Sequence, residues 1–382
     1  MEIKYPLAKE TINEEDIDAL CDWLKSYPRL TKGALTPQGE RKWADFIGTR
    51  HAVFNNSGSS ANLLMIYTAI AAGRIKNKKI VVPSVGWVTT LAPAIQFGLE
   101  PIMVEADEKT FGIDLDELEK VCEEHNPDAV IFVQVLGVPH HRERLLQLKE
   151  KYGFTLLEDA CAALGASYGD GSMGGTGGDM ASFSFYFGHQ LSTIEGGMVC
   201  TNDESLYERL LLLRSHGLMR ELPTTMQEKY KDLEVDENFT FLLPGFNVRS
   251  TEINAVLGLE QLKDLDTRIK IRNDNFNQFC DLIDKSKYEC SFDMEGISNF
   301  CFPILRKDGN MNDIKKLLKE NNIHVRPIIA GNLYEHPFIK NVNMKRYDNH
   351  CSYINDCGLY VGNNHMINSV MIKRLCEMLE GI

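Results

Sequence analysis

The sequence predicts an α/β chain: a mostly parallel central sheet covered by helices on both faces, then a smaller C-terminal α/β domain. Three observations predict it. Short β-branched runs alternate with segments of helical length and period. The runs are apolar nearly throughout, as strands buried on both faces are. Near residue 250 a long helical pattern leads into a second, shorter set of strands and helices. We place the domain boundary there, giving 1–250 and 251–382.

The elements follow in chain order. Residues 14–25 read as an amphipathic helix, and 60–72 (SANLLMIYTAIAA) as an apolar helix behind a turn of small residues. KIVVP at 79–83 is a short strand ending at a proline. Asp114 and Glu117 form a capping-box pair ahead of Leu118 and Val121. AVIFVQV at 129–135 is a buried strand, 141–152 a polar-faced helix, and 155–157 a strand ending in Glu158 and Asp159. A further strand follows at 196–201 and a helix at 204–214. The polar, lysine-rich stretch 218–238 reads as a surface loop. A long helix starts near 250 and runs through NAVLGLEQL. The C-terminal part then offers a strand at 300–305, a helix at 311–321, a strand at 324–327 and a last helix after Met366. No internal repeat and no low-complexity segment occurs.

Composition narrows the function. Of 382 residues, 43% are hydrophobic and 25% charged, as in ordinary globular proteins. No apolar run approaches the ~20 residues needed to cross a bilayer. The first residues, MEIKYPLAKETINEED, lack the apolar core of a signal peptide. We therefore expect a cytoplasmic protein with no membrane partner. The formal charge of −13 argues against nucleic acid as partner, since such binding rests on neutralising phosphates. The 10 cysteines are scattered without a CxxC, and the closest pair is Cys351 and Cys357. Reduced, mostly buried thiols are expected, and no metal site. His140, His141, His336 and His350 read as surface residues.

Five segments carry chemistry together, though each alone is weak. Asn56-Ser57-Gly58-Ser59-Ser60 opens a helix. Small residues there leave backbone N–H groups free for an anion, although on this segment alone a plain helix cap is the better-supported reading. Trp87, in PSVGWVTT, stands just beyond a strand end, where open α/β sheets place ligands. It could stack on a flat heteroaromatic ring or simply fill the core. Glu158-Asp159 closes the strand FTLLED. A carboxylate there could pair with the protonated ring nitrogen of a pyridoxal-type cofactor, or cap the next segment. SFSFYFGH at 182–189, followed by IEGG, is the most informative stretch. PGFNVR at 244–249 precedes the long helix.

In this order, YPLAKETI, SGSSANLL, LEDA, SFSF…EGG and GFNVR resemble the sugar aminotransferases of nucleotide-sugar pathways. These are enzymes of pyridoxal-phosphate fold type I, the aspartate aminotransferase-like fold. The resemblance runs from near residue 5 to near residue 365. It implies that Gly58 and Ser59 bind the cofactor phosphate through backbone amides, with Ser184 adding a hydroxyl. Trp87 would stack on the pyridine ring and Asp159 would pair with its nitrogen. Asn247 would reach the phosphate of the neighbouring subunit, which makes a homodimer with shared sites. Arg249 and Arg326 are candidates for a carboxylate or phosphate of substrate or amino donor.

The family's Schiff-base lysine should stand six residues before the Glu of EGG, and that residue is His189. Imidazole forms no imine with an aldehyde, yet it can take and give a proton near neutral pH. Pyridoxal or pyridoxamine 5′-phosphate would thus be held non-covalently. One subgroup of the family makes this swap, the pyridoxamine-phosphate-dependent sugar 3-dehydratases. PSVGWVTT, FYFGHQLSTIEGG, LPGFNVR, RPIIAGN and Ser215-His216-Gly217 point the same way. His216 would lie near cofactor and amino donor or, on the residues alone, reads equally as a surface or packing histidine after a helix. The implied reaction removes the C3 hydroxyl from a nucleotide-linked 4-keto-6-deoxyhexose, with GDP as the nucleotide. A 3-deoxy-4-keto sugar and ammonia result, and L-glutamate reloads the cofactor. A second histidine-bearing type holds an iron–sulfur cluster on four cysteines near this block, which the spacing here does not match. A departure stands three residues after Asp159, where Ala162 replaces the family's Gln, Glu or Asp. Two other readings stay open: a nucleotide-sugar aminotransferase working without its lysine, and a non-catalytic cofactor-binding protein.

Overall fold

The computed structural model describes every residue except 1–4, 234, 235, 237, 343, 344 and 347–351. His350 and Cys351 lie outside the described residues. The chain opens with α1 (Glu14–Leu24), α2 (Leu35–Ile47), β1 (His51–Asn55) and α3 (Gly58–Ala71). There follow β2 (Lys79–Pro83), α4 (Val88–Gln96), β3 (Glu100–Val104), α5 (Leu115–His125), β4 (Ala129–Val133), α6 (Arg142–Tyr152) and β5 (Thr155–Asp159). After a long connection come β6 (Met180–Ser184), β7 (Gly197–Thr201), α7 (Glu204–Arg214) and the short α8 (Thr224–Gln227). The remainder holds α9 (Glu252–Gln261), α10 (Leu265–Leu282), β8 (Tyr288–Glu289), β9 (Cys301–Arg306), α11 (Met311–Glu320), β10 (Val325–Arg326), β11 (Lys345–Arg346), α12 (Ser352–Cys357), β12 (Gly358–Gly362) and α13 (Ser369–Glu380).

The large sheet runs β1-β7-β6-β5-β4-β2-β3-β11. Among the described strands, β7 runs opposite to the rest, pairing antiparallel with β1 and β6. A second, antiparallel sheet has the order β10-β12-β9-β8. Side-chain alternation explains why the central strands are apolar throughout. In β4, Ala129 and Ile131 join the core beneath α3 and α7, while Val130 and Phe132 join the core beneath α5 and α6. No described helix is long and apolar enough to cross a membrane.

Several expected elements change in detail. The 129–135 strand stops at Val133 and turns through a tight 3₁₀ segment at Val135–Gly137, where Leu136 takes φ 55°. The helix from 250 is two helices, α9 and α10, joined by a 3₁₀ turn. The 218–238 stretch carries α8 and two 3₁₀ turns rather than plain loop. Asp114 caps α5 as expected, but Glu117 accepts from the Glu105 N–H at 2.6 Å and does not complete a capping box. The reciprocal boxes are Asn13 with Asp16 and Thr251 with Asn254. His140 is buried, not on the surface. The 107–112 loop covers it, its Nδ1 lies 3.2 Å from Thr110 Oγ1, and burial pushes its pKa down to about 4. His141 is exposed and His336 half-buried. Of the described cysteines, Cys122, Cys200, Cys301 and Cys376 are buried, while Cys21 is exposed and the rest lie between.

Two buried carboxylates tie the helices to the sheet edge. Glu252 accepts from the Leu35 and Thr36 N–H groups at 2.7 and 2.9 Å, capping α2 from the start of α9. Glu40 on α2 pairs with Arg214 on α7 and accepts from the Phe54 N–H at 2.9 Å, while Arg214 donates to the Phe54 carbonyl at 2.9 Å. Arg214 is 1% exposed. Glu40→Ala leaves that guanidinium buried and unpaired, so urea denaturation should show a loss of about 3–5 kcal/mol. An unchanged midpoint would show that the pair contributes nothing.

Candidate active site

Proline 83 closes β2, Asp159 closes β5 and Ser184 closes β6, so the chain leaves three parallel strands at the same carboxyl end. This is where open α/β sheets gather ligand-binding residues. The start of α3 arrives at the same place. Ser57 is its N-cap and accepts from the Ser60 N–H at 3.1 Å, while the Ser57 carbonyl accepts from the Ala61 N–H at 3.0 Å. Among the described residues, the N–H groups of Gly58 and Ser59 have no partner, as expected at a helix start.

That helix start touches the strand ends. A Cβ placed on Gly58 would meet Ser184 Cβ at 2.5 Å and Cys161 Sγ at 3.2 Å. A Cβ on Gly197 would meet the Ser57 carbonyl oxygen at 2.3 Å. Both glycines are therefore demanded by close approach, which explains the second glycine of the EGG motif. The Ser184 hydroxyl also has no partner among the described residues. Two free amides, a free hydroxyl and the positive end of a fourteen-residue helix converge, a cradle suited to a phosphate.

Asp159 is buried and well supplied with donors. Its Oδ2 accepts from Asn62 Nδ2 and Thr90 Oγ1, both at 2.8 Å, and its Oδ1 accepts from the Cys161 N–H at 3.1 Å. A carboxylate offers roughly four lone-pair directions, so one remains for a protonated ring nitrogen. Glu158 points to the opposite face and is structural. It accepts from Tyr168 Oη at 2.7 Å and from the N–H groups of Gly175 and Gly177 at 2.6 and 2.7 Å, pinning the 168–177 loop. Trp87 is not core. It is the N-cap residue of α4, 50% exposed, and its carbonyl accepts from the N–H of Thr90, the residue that holds Asp159.

Five residues beyond Ser184, His189 lies in the hairpin between β6 and β7. Its N–H donates to the Tyr186 carbonyl at 3.0 Å, and its ring packs on Phe300 with centroids 5.3 Å apart. Its Nδ1 is buried without a partner. Burial first, and the nearby Arg272 charge second, push its pKa down to about 3, so the imidazole is neutral at neutral pH. Neither Lys151 nor Lys229 reaches this turn, since they pair with Glu119 and Glu208.

Gly58, Ser59, Trp87, Asp159, Ser184 and His189 thus gather at the carboxyl ends of the strands. His216, Asn247 and Arg249 form a separate strip. Ser215 bridges to Asn247, Asn55 bridges to Arg249, and the Asn56 N–H donates to the Val248 carbonyl at 2.9 Å. His216 and Asn247 are exposed there, with His216 at φ 63°. Arg326 stands apart, exposed on β10 and opposite Tyr360. Ala162 is buried, so no polar group stands at that position. Asn62, Thr90, Phe300 and Arg272 were not singled out by sequence. Asn62 carried the one usable signal, a lone amide on the apolar side of α3.

The fold and site define a pyridoxal-phosphate enzyme of fold type I, and the chain belongs to the DegT/DnrJ/EryC1/StrS aminotransferase family, whose model matches residues 10–358. Within it, the chain is similar to GDP-4-keto-6-deoxy-D-mannose 3-dehydratase of Yersinia pseudotuberculosis, with 35% identity over 397 aligned positions, covering 99% of this chain and 98% of that one. A solved His-to-Asn variant of GDP-4-keto-6-deoxymannose-3-dehydratase with bound GDP-perosamine superposes with TM-score 0.91 at 32% identity, over 98% of this chain and 100% of the other. A second structure of that enzyme, with a trapped PLP-glutamate geminal diamine, gives TM-score 0.90 at 31% identity over 98% and 100%.

Gly58→Ala should weaken binding of pyridoxal phosphate at least about tenfold in a spectrophotometric titration, because the added methyl enters the Ser184 contact. Unaltered affinity would remove the phosphate cradle from this turn.

Proposed function

We propose that the chain is a lyase dependent on pyridoxamine phosphate that removes the C3 hydroxyl of a nucleotide-linked 4-keto-6-deoxyhexose, GDP-4-keto-6-deoxymannose first among candidates. The observation that carries this reading is His189 in the lysine position, beside the Gly58–Ser184 turn and an Asp159 held by Asn62. The names of the relatives at 34–35% identity over nearly the whole chain support the substrate.

When bound, the cofactor supplies the amine that joins the C4 ketone and the ring that takes up an electron pair. The chain's own residues do the rest. The Gly58 and Ser59 amides and the Ser184 hydroxyl hold the phosphate, and Trp87 covers a ring face. Asp159 holds the proton on the ring nitrogen, kept in place by Asn62 and Thr90. His189, neutral at rest, takes the proton from the cofactor carbon that bears the nitrogen and delivers it to the C3 oxygen as that leaves. Because imidazole forms no imine, the cofactor stays non-covalent, and L-glutamate returns the amine afterwards. Arg249, beside His216 in the strip, and Arg326, on β10, are the candidates for anionic groups of substrate or amino donor.

A cytoplasmic homodimer completes the reading, with the domain division at 1–250 and 251–382. Tyr186 and Ile194, 46% and 51% exposed on the His189 hairpin, suit burial against a second subunit, and Asn247 would reach across to that subunit's phosphate. The separate sheets support the division, with β11 returning to the edge of the large one.

Incubation with GDP-4-keto-6-deoxymannose, pyridoxal phosphate and glutamate should release ammonia and a 3-deoxy sugar, and His189→Asn should abolish this. An amino sugar as product would make the chain an aminotransferase. No turnover would leave a binding protein.

A further inference from the structure

One buried cation holds the His189 turn from behind. Arg272 on α10 is 2% exposed. Its Nη1 donates to the carbonyls of Asn363 and Phe300 at 2.6 and 3.0 Å, and its Nη2 donates to that of His189 at 3.4 Å. Three segments far apart in sequence therefore meet on one guanidinium: the His189 hairpin, the entry to β9 and the exit of β12. Phe300, held by the same group, is the ring that packs on the imidazole.

All three acceptors are neutral. A guanidinium removed from water ordinarily brings a carboxylate with it, because an uncompensated buried charge is costly. Among the described residues Arg272 makes no ion pair, and its Nε is buried without a partner. The charged and titratable groups that face it are the Arg268 guanidinium, the buried Cys301 thiol and the His365 imidazole. His365 in turn faces Lys9 and Glu10 of the N-terminal segment, which crosses the turn with Ala8 Cβ close to Gly188. Arg272 is the charged group that acts on His189 itself.

We propose that Arg272 is a positioning residue for proton transfer at His189. Its guanidinium fixes the turn that aims the imidazole. Its unneutralised charge adds to burial in keeping the resting imidazole neutral, and makes it a stronger proton donor once it has taken a proton. This rests on the dehydratase reading, in which one histidine must first accept a proton and then pass it to a leaving hydroxyl. A proton that is costly to keep beside a fixed positive charge moves on. The depressed His189 pKa, about 3, has the required sign, and Arg272, itself lowered to about 10 by burial, stays charged at neutral pH.

The test follows the His189 ring by nitrogen-15 NMR in cofactor-free protein, from pH 8 to the acid limit of folding. His189→Asn assigns the signal. Wild type should begin to protonate only at the acid end of the range. Cys301→Asp leaves the guanidinium clamp in place and gives Arg272 the counter-ion it lacks, so proton affinity at His189 should rise about tenfold or more. Arg272→Met should raise it too, and Arg272→Lys, which keeps the charge but not the three-carbonyl clamp, should stay neutral while kcat falls. A His189 that titrates alike in wild type and Cys301→Asp overturns the proposal, even if Arg272→Met fails to fold. The titration needs neither substrate nor cofactor, so it can fail while the dehydration assay succeeds, and the reverse.

Discussion

The first turn of α3 lies so close to the ends of β6 and β7 that neither Gly58 nor Gly197 has room for a methyl group. The site depends on that contact. It brings two unpaired amides up to the Ser184 hydroxyl, and Asn62, which holds Asp159, sits one turn further along the same helix. None of these contacts involves residue 189. The cradle is therefore indifferent to which side chain stands there, and a lysine can give way to a histidine without disturbing the phosphate or the ring nitrogen. In the proposed reading the reaction changes because the covalent anchor is lost and only proton transfer is kept.

Charge is distributed over the site by separate neighbours. Asp159 is held by Asn62, Thr90 and a backbone amide. His189 is kept neutral by enclosure and by Arg272. Glu158, adjacent to Asp159 in sequence, is turned to the other face by strand alternation and spent on holding a loop. Two neighbouring carboxylates thus have unrelated duties, and only the one facing α3 and α4 belongs to the site.

The parallel sheet was legible because strands buried on both faces cannot alternate polar and apolar residues, as β4 and β5 show. The strand end at Asp159 could be read from its run of apolar residues, whereas 182–189 was read only as a motif and the strand ending at Ser184 was not. The Asp114–Glu117 box was misread because Glu117 found a competing donor in the Glu105 N–H, a tertiary contact that no local motif encodes. His140 looked like a surface residue for want of any sign that the 107–112 loop would cover it. The place of Gly58, Trp87 and His189 could be read from motif and order. Arg272 could not, since it lies 83 residues from His189 and its partners are carbonyls, which carry no side-chain signature.

The account turns on a cofactor that is gripped firmly yet not bonded. Borohydride reduction of the protein loaded with pyridoxal phosphate, followed by intact-mass spectrometry, tests this directly. The account predicts an unmodified chain, with all of the cofactor recovered as a small molecule. A chain carrying a reduced adduct on any lysine would contradict it.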